Sequence, residues 1–258
     1  LSESFVFDIE TGPLPLDEIK AIAPAFEPPK HPGVFNVSTV KYGNTKDPAK
    51  RDAILFAARE KHSSLVENHE LNVATAEEEY WAEVIGKAAL SPLTGSVLAI
   101  GVCFVDGDKD LLLESDGDEE GVLTEFWQEY YQPATRGCHS IVGHNIKEFD
   151  LPFLVRRSWM LGVDIPAGIV DSNWRYWHRC FVDTREVWNC CTRGGGNVPA
   201  SLDVVARALG LPGKMEGVTG ADFARLFADE ATRGKAIEYL MIDLDVTLGV
   251  ARRLGVLV

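Results

Sequence analysis

The order of elements predicts a three-layer α/β domain built on a mixed sheet. Three observations lead there. An apolar strand opens the chain at Phe5-Val6-Phe7-Asp8-Ile9-Glu10. A hairpin pattern occupies Gly95 to Glu114. From Ser140 onward, short buried strands alternate with helices.

In the first strand Phe5, Phe7 and Ile9 are apolar, and Thr11-Gly12-Pro13 closes it with turn residues. The stretch from Gly12 to Val40 carries Pro13, Pro15, Pro24, Pro28, Pro29 and Pro32, so it reads as an extended, irregular connection. Asp47 to Glu70 has a helical pattern. Thr75 is expected to N-cap a second helix reaching about Leu90, with Glu77 and Glu78 in its first turn. The hairpin pairs Val97–Val105 with Leu111–Leu113 around Asp106-Gly107-Asp108. Asp118 to Tyr131 follows as an amphipathic helix, turning Leu123, Phe126, Trp127 and Tyr130 inward.

Ser140 to Gly143 is a short buried strand, and Leu151 to Leu161 a helix. Cys180 to Asp183 is a further strand leading through Thr184 into a short helix. Gly194 to Asn197 is a loop. Ser201 is expected to cap a helix over Leu202 to Leu209 that Gly210 ends, and two more helices follow over about 221–228 and 232–254. The whole reads as a single domain over 1–258. Residues 13–94 form an insertion between the first strand and the hairpin, with the character of a small subdomain.

The length suits one α/β domain with an insertion, or two small domains. An apolar share of 46% and a charged share of 25% fit a soluble globular protein. There is no leader pattern, and no apolar run approaches the ~20 residues of a membrane span, so no membrane role is expected. The five cysteines (Cys103, Cys138, Cys180, Cys190, Cys191) form no Cys-x-x-Cys pair, which argues against zinc or a disulfide framework and for a cytoplasmic location. The net charge of −14 argues against a broad basic nucleic-acid surface. It is unevenly spread: residues 1–150 hold 12 Lys and Arg against 27 Asp and Glu, and residues 151–258 hold 13 against 12. Any nucleic acid is therefore expected along the second half, touching the first mainly through metal.

Asp8 and Glu10 are two residues apart on a strand, so both carboxylates project from the same side. Paired acids on an apolar strand repel each other and are costly to desolvate, and Mg²⁺ or Mn²⁺ relieves both problems. Taken alone, a strand end reaching solvent explains them as well. Asp150, at a helix start in His144-Asn145-x-x-x-Phe149-Asp150, is explained alone by the helix dipole. On the last helix Tyr239 and Asp243 are four apart and share a face, with Asp243 interrupting an apolar stretch.

Together, Asp8-x-Glu10, Asn145-x-x-x-Phe149-Asp150 and Tyr239-x-x-x-Asp243 resemble the three exonuclease motifs of the DEDD superfamily. The tyrosine marks the branch containing the proofreading domains of family-B DNA polymerases; the other branch has a histidine five residues before the last acid, where Glu238 stands here. Asp183-Thr184 and the run Ser201-Leu202-Asp203 to Leu209-Gly210-Leu211 are similar to linking segments of stand-alone exonucleases related to those domains. The resemblance covers about residues 1–12 and 95–258. It implies a ribonuclease H-like fold with helices on both faces of a sheet ordered 3-2-1-4-5, strand 2 antiparallel. It further implies 3′–5′ exonuclease activity with two divalent ions, Mg²⁺ or Mn²⁺, on single-stranded or frayed DNA, with RNA the near alternative.

Four carboxylates, Asp8, Glu10, Asp150 and Asp243, are a sufficient set for two divalent ions about 3.5–4 Å apart. Tyr239 would orient the attacking water, since a phenol with a pKa of ~10 is too weak a base for more. The resemblance places Glu10 near the terminal 3′-hydroxyl, with Thr11, Asn145 and His144 as further substrate contacts; strand-end hydrogen bonding is the plainer reading of His144. Trp174, Tyr176 and Trp177 are expected to pack at a core or rim, and Gly194 to Gly196 to form a plain loop. Two other classes compete. A non-catalytic adaptor could dock a protein partner through 13–94, and a nuclease for small nucleotides would need a closed pocket.

Overall fold

The N-terminal strand β1 (Phe5–Pro13) is the middle strand of a five-stranded sheet ordered β3-β2-β1-β4-β5. The other strands of the sheet are β2 (Gly95–Phe104), β3 (Lys109–Leu113), β4 (Ile141–Gly143) and β5 (Phe181–Asp183). β2 runs antiparallel to both β1 and β3, while β4 and β5 are parallel to β1. This computed structural model describes residues 3–169, 178–190 and 200–257. Trp174, Tyr176, Trp177 and the Gly194–Gly196 loop lie outside the described residues.

The helices are α1 (Leu16–Ile22), α2 (Pro48–Glu67), α3 (His69–Ala88), α4 (Glu119–Glu125), α5 (Gln132–Arg136), α6 (Asp150–Leu161), α7 (Thr184–Trp188), α8 (Leu202–Ala208), α9 (Gly220–Ala228) and α10 (Arg233–Arg253). α4 runs into a π-helical segment, Phe126–Tyr131, ahead of α5. The widening falls just before Pro133, which has no N–H to continue the i→i−4 ladder.

Alternation along β1 sorts its side chains into two layers. Phe5, Phe7 and Ile9 pack with Leu123, Phe126, Trp127, Leu151 and Phe153 from α4, the π segment and α6. Val6, on the opposite face, packs with Phe223 and Phe227 of α9 and with Leu240 and Leu244 of α10. Full burial of side chains this size contributes about 1.5–3 kcal/mol each, so both layers are anchored on the strand that carries Asp8 and Glu10. In the layer formed with α4 and α6, the Trp127 indole N–H donates to Ser158 Oγ at 2.9 Å. Arg157 on α6 donates to both oxygens of Glu119, at 2.9 and 2.5 Å, and to the Pro92 carbonyl at 3.2 Å; Glu119 also accepts from Val97 N–H at 2.8 Å.

The chain divides into two compact units, residues 1–19 with 88–258, and residues 20–87. The second is a helical unit held by aromatic contacts. The Tyr80 hydroxyl donates to the Pro24 carbonyl at 2.6 Å, Phe26 lies 5.7 Å from the Tyr80 ring, and Lys20 sits 5.0 Å over Trp81. No residue of α2 is buried, so this unit has a thin core.

Two local expectations are corrected. Thr75 lies inside α3 and does not cap it, because the break between helices falls at Asn68, whose side-chain amide donates to the Ser64 carbonyl at 2.7 Å. Ser201 stands at the N-cap of α8 without making a side-chain cap bond, the helix being docked through buried Leu202, Val205 and Ala206.

Candidate active site

The site forms where β1 outruns its parallel neighbour. β4 pairs with β1 only at Phe5 and Val6 and ends at Gly143, leaving Ile9 N–H without a strand partner on that side. Asp150, at the first turn of α6, takes that place: its Oδ1 accepts from Ile9 N–H at 3.2 Å. Gly143 permits the sharp exit from β4, since a Cβ there would lie 2.2 Å from Ile146 Cγ2 and 2.9 Å from the Phe7 carbonyl.

The loop that delivers Asp150 is clamped by Asp183, at the end of β5. Its carboxylate accepts from Asn145 N–H at 2.9 Å, Lys147 N–H at 3.1 Å and Arg185 N–H at 2.9 Å. Asn145 is left-handed, with φ 68°, a conformation asparagine tolerates better than most residues. Its side-chain oxygen accepts from Arg185. His144 is engaged at both ring nitrogens, by Thr184 Oγ1 at 2.9 Å and the Ala200 carbonyl at 2.7 Å, and burial lowers its pKa. Thr11 donates its hydroxyl to the Ala89 carbonyl at 2.7 Å. Both are therefore occupied in the hydrogen-bonding of the frame, while the Asn145 amide nitrogen has no partner among the described residues.

From the opposite layer α10 supplies Tyr239 and Asp243, one turn apart and both buried beside Leu240 and Leu244. Asp8, Glu10 and Asp243 each place a carboxylate oxygen within 4.8 Å of the others, and Asp150 lies near enough for the Asp8 charge to raise its pKa. All five sequence-predicted catalytic residues thus meet at one end of the sheet. A sixth group was not anticipated. Lys214, in the loop between α8 and α9, donates to Asp243 and lies 3.3 Å from the Tyr239 hydroxyl. It carries no spacing or motif that singles it out among the basic residues of the second half.

Electrostatics record the crowding. Burial, then the neighbouring Asp243, pushes Asp8 up to about 7. Glu10 is raised well above the usual carboxylate range by burial and by Asp8 and Asp243, and Asp150 likewise by burial and Asp8. Burial also raises Asp243, against the opposing pull of Lys214. Lys214 loses some basicity to burial but is held net above the ordinary lysine value by Asp243 and Asp8. Among the described residues, Lys214 is the one cation bonded to this group of four acids, and Asp243 Oδ1 is buried with no hydrogen-bond partner. Hard oxygen donors, surplus negative charge and an orphaned oxygen are what a divalent cation satisfies, so the residues present fit one. Beside them opens a cleft of about 310 Å³ lined by Asp8, His144, Ser201, Leu202, Asp203 and Lys214.

Residues 92–250, more than half of the chain, match the family described as a predicted 3′–5′ exonuclease related to the exonuclease domain of PolB. The chain belongs to this family. Among solved structures, this exonuclease-family chain is similar to the family B DNA polymerase from the hyperthermophilic archaeon Pyrobaculum calidifontis, with 23% identity and a TM-score of 0.53 over 66% of this chain. It spans only 23% of that polymerase chain, and the likeness is one of fold. The sheet order and the helices on both faces are accordingly ribonuclease H-like, as the motifs implied. No curated protein matches.

Proposed function

We propose that this protein is a 3′–5′ exonuclease of the tyrosine branch of the DEDD superfamily, hydrolysing nucleotides from single-stranded or frayed 3′ ends with two divalent ions, Mg²⁺ or Mn²⁺. The observation that carries the reading is the convergence of Asp8, Glu10, Asp150 and Asp243 with Tyr239 and Lys214, in a chain of a predicted exonuclease family. The four carboxylates are the metal ligands in this reading. Bound there, divalent ions supply a water of lowered pKa and offset charge on the scissile phosphate and the leaving 3′ oxygen.

The chain's own groups do the rest. Glu10 accepts a hydrogen bond from the terminal 3′-hydroxyl. Tyr239 stays protonated, because burial holds its pKa above the ordinary phenol value, so it positions the attacking water by hydrogen bond without taking its proton. Lys214 fixes Tyr239 and Asp243 relative to each other and lowers the net charge that an incoming phosphate meets. Asn145 contacts sugar or phosphate through its amide nitrogen, while Thr11 and His144 shape the wall. A DNA 3′ end is a substrate in this reading, supported by the likeness to a DNA polymerase, and RNA is the near alternative.

The test is degradation of a 5′-labelled single-stranded oligonucleotide with Mg²⁺ or Mn²⁺. Wild type should yield a ladder shortening from the 3′ end, and both EDTA and Asp8→Ala should abolish it. Absence of shortening in folded wild-type protein would overturn the reading.

A further inference from the structure

Gly220 is the first residue of α9, and its presence there has no backbone cause. Its φ is outside the left-handed region, so any L-residue fits the main chain. Its position is fixed by a capping box, in which Thr219 N–H and Oγ1 both donate to Asp222 Oδ2, at 3.1 and 2.8 Å. What a side chain would meet is the site. A Cβ on Gly220 would lie 3.9 Å from Glu10 Oε2 and 3.9 Å from the Tyr239 hydroxyl, the two atoms it would meet among the described residues beyond its chain neighbours and its own helix backbone. The missing side chain therefore leaves an open space bounded by the Glu10 carboxylate and the Tyr239 phenol.

Resting on the exonuclease reading, in which Glu10 receives the terminal 3′-hydroxyl, the substituent nearest that carboxylate on the same sugar is the one on the adjacent 2′ carbon. A 2′-hydroxyl is what distinguishes RNA from DNA at such a position, and it needs room of about the size of a methyl group. We infer that Gly220 provides that room, so that the site removes ribonucleotides and deoxyribonucleotides alike from a 3′ end. Gly220 is then the residue that sets sugar tolerance. A larger residue would select for DNA without altering a metal ligand.

The experiment uses three 5′-labelled strands of one sequence: all DNA, all RNA, and DNA ending in a single 3′ ribonucleotide. Removal of the terminal nucleotide is timed for wild type, Gly220→Ala and Gly220→Val. Wild type should remove the terminal ribonucleotide from the chimera within about threefold of the deoxynucleotide rate. Gly220→Val should lower the ribo-to-deoxy ratio by about tenfold or more, the scale of a steric mismatch in a pocket, with Gly220→Ala between. Each variant's folding is checked by its urea unfolding curve, and the ratio to the deoxynucleotide rate removes any general disturbance of Glu10 or Tyr239. Rejection of the chimera by wild type beyond about tenfold, or an equal slowing of both ends in both variants, would overturn the inference alone. Failure of wild type on all three strands would instead overturn the exonuclease reading on which it rests.

Discussion

Raising the pH should destabilise the metal-free protein, and the acidic cluster sets the size of the effect. A carboxyl whose folded pKa lies above its unfolded value keeps its proton in the folded state after the unfolded chain has lost it. Its stabilisation is full below the unfolded pKa and disappears as pH rises through the folded one. Asp8 rises from 3.8 to about 7, so it alone makes the fold on the order of 4 kcal/mol less stable above pH 7 than below pH 4, and about 1.4 kcal/mol less per pH unit between. Glu10 and Asp150 are shifted the same way by the same burial. Burial raises Asp243 as well, and His144 works in the opposite sense, since its lowered pKa removes stability as pH falls below the usual imidazole range, but it is one group against four. Set against a domain stability of about 5–15 kcal/mol, the effect is readily measured. The assay is urea unfolding in EDTA at pH 5, 6, 7 and 8, repeated with Mg²⁺ and with Asp8→Asn. Stability in EDTA should fall over this range, Mg²⁺ should stabilise more at pH 8 than at pH 5, and Asp8→Asn should flatten the curve. A metal-free curve that is level or rising between pH 5 and 7 would refute the reasoning.

Arg157→Met should cost about 3–5 kcal/mol in chemical denaturation, because it strands the Glu119 carboxylate in the interior, whereas the double change Arg157→Met with Glu119→Leu should recover much of the loss. Lys214→Met should slow nucleotide removal by about tenfold or more, since a charge-assisted bond to Asp243 contributes about 1.5–3 kcal/mol; an unchanged rate would remove Lys214 from the site. Tyr239→Phe should keep the fold and lower the single-turnover rate by about ten- to a hundredfold, and a rate equal to wild type would show that the phenol orients nothing.

Much of the fold is legible in the sequence because it is written in local patterns. Alternation of Phe5, Phe7 and Ile9 with Val6, Asp8 and Glu10 marks β1, and Asp106-Gly107 marks the turn after β2. The acids of the site are legible only together: each has a plainer reading alone, as a strand end or a helix start, and it is the resemblance of the three motifs in their order that singles them out. Lys214 does not stand out. It lies in a loop, and its importance depends on a contact with Asp243, 29 positions away. Asp183 appears in the sequence as a strand-end acid, but its grip on the Asn145 loop is a matter of three backbone N–H groups that no side-chain pattern announces. The misplaced start of α3 has a simpler cause. Thr75 and Asn68 both suit a helix end, and only the packed chain decides between them.

The strand and the hairpin are stitched together at the point where the intervening chain leaves and returns. Leu14 N–H donates to the Thr94 carbonyl at 2.9 Å and Thr11 to the Ala89 carbonyl, within the unit that carries the acids. The long excursion between them therefore has a narrow neck, closed by bonds that do not depend on its contents. In evolutionary terms this is a port. Lineages can lengthen, shorten or exchange what hangs there while Asp8 and Glu10, only a few residues upstream, keep their places in the sheet. Diversity among such exonucleases should then concentrate between this strand and its hairpin, and the chemistry on either side should be inherited as one block.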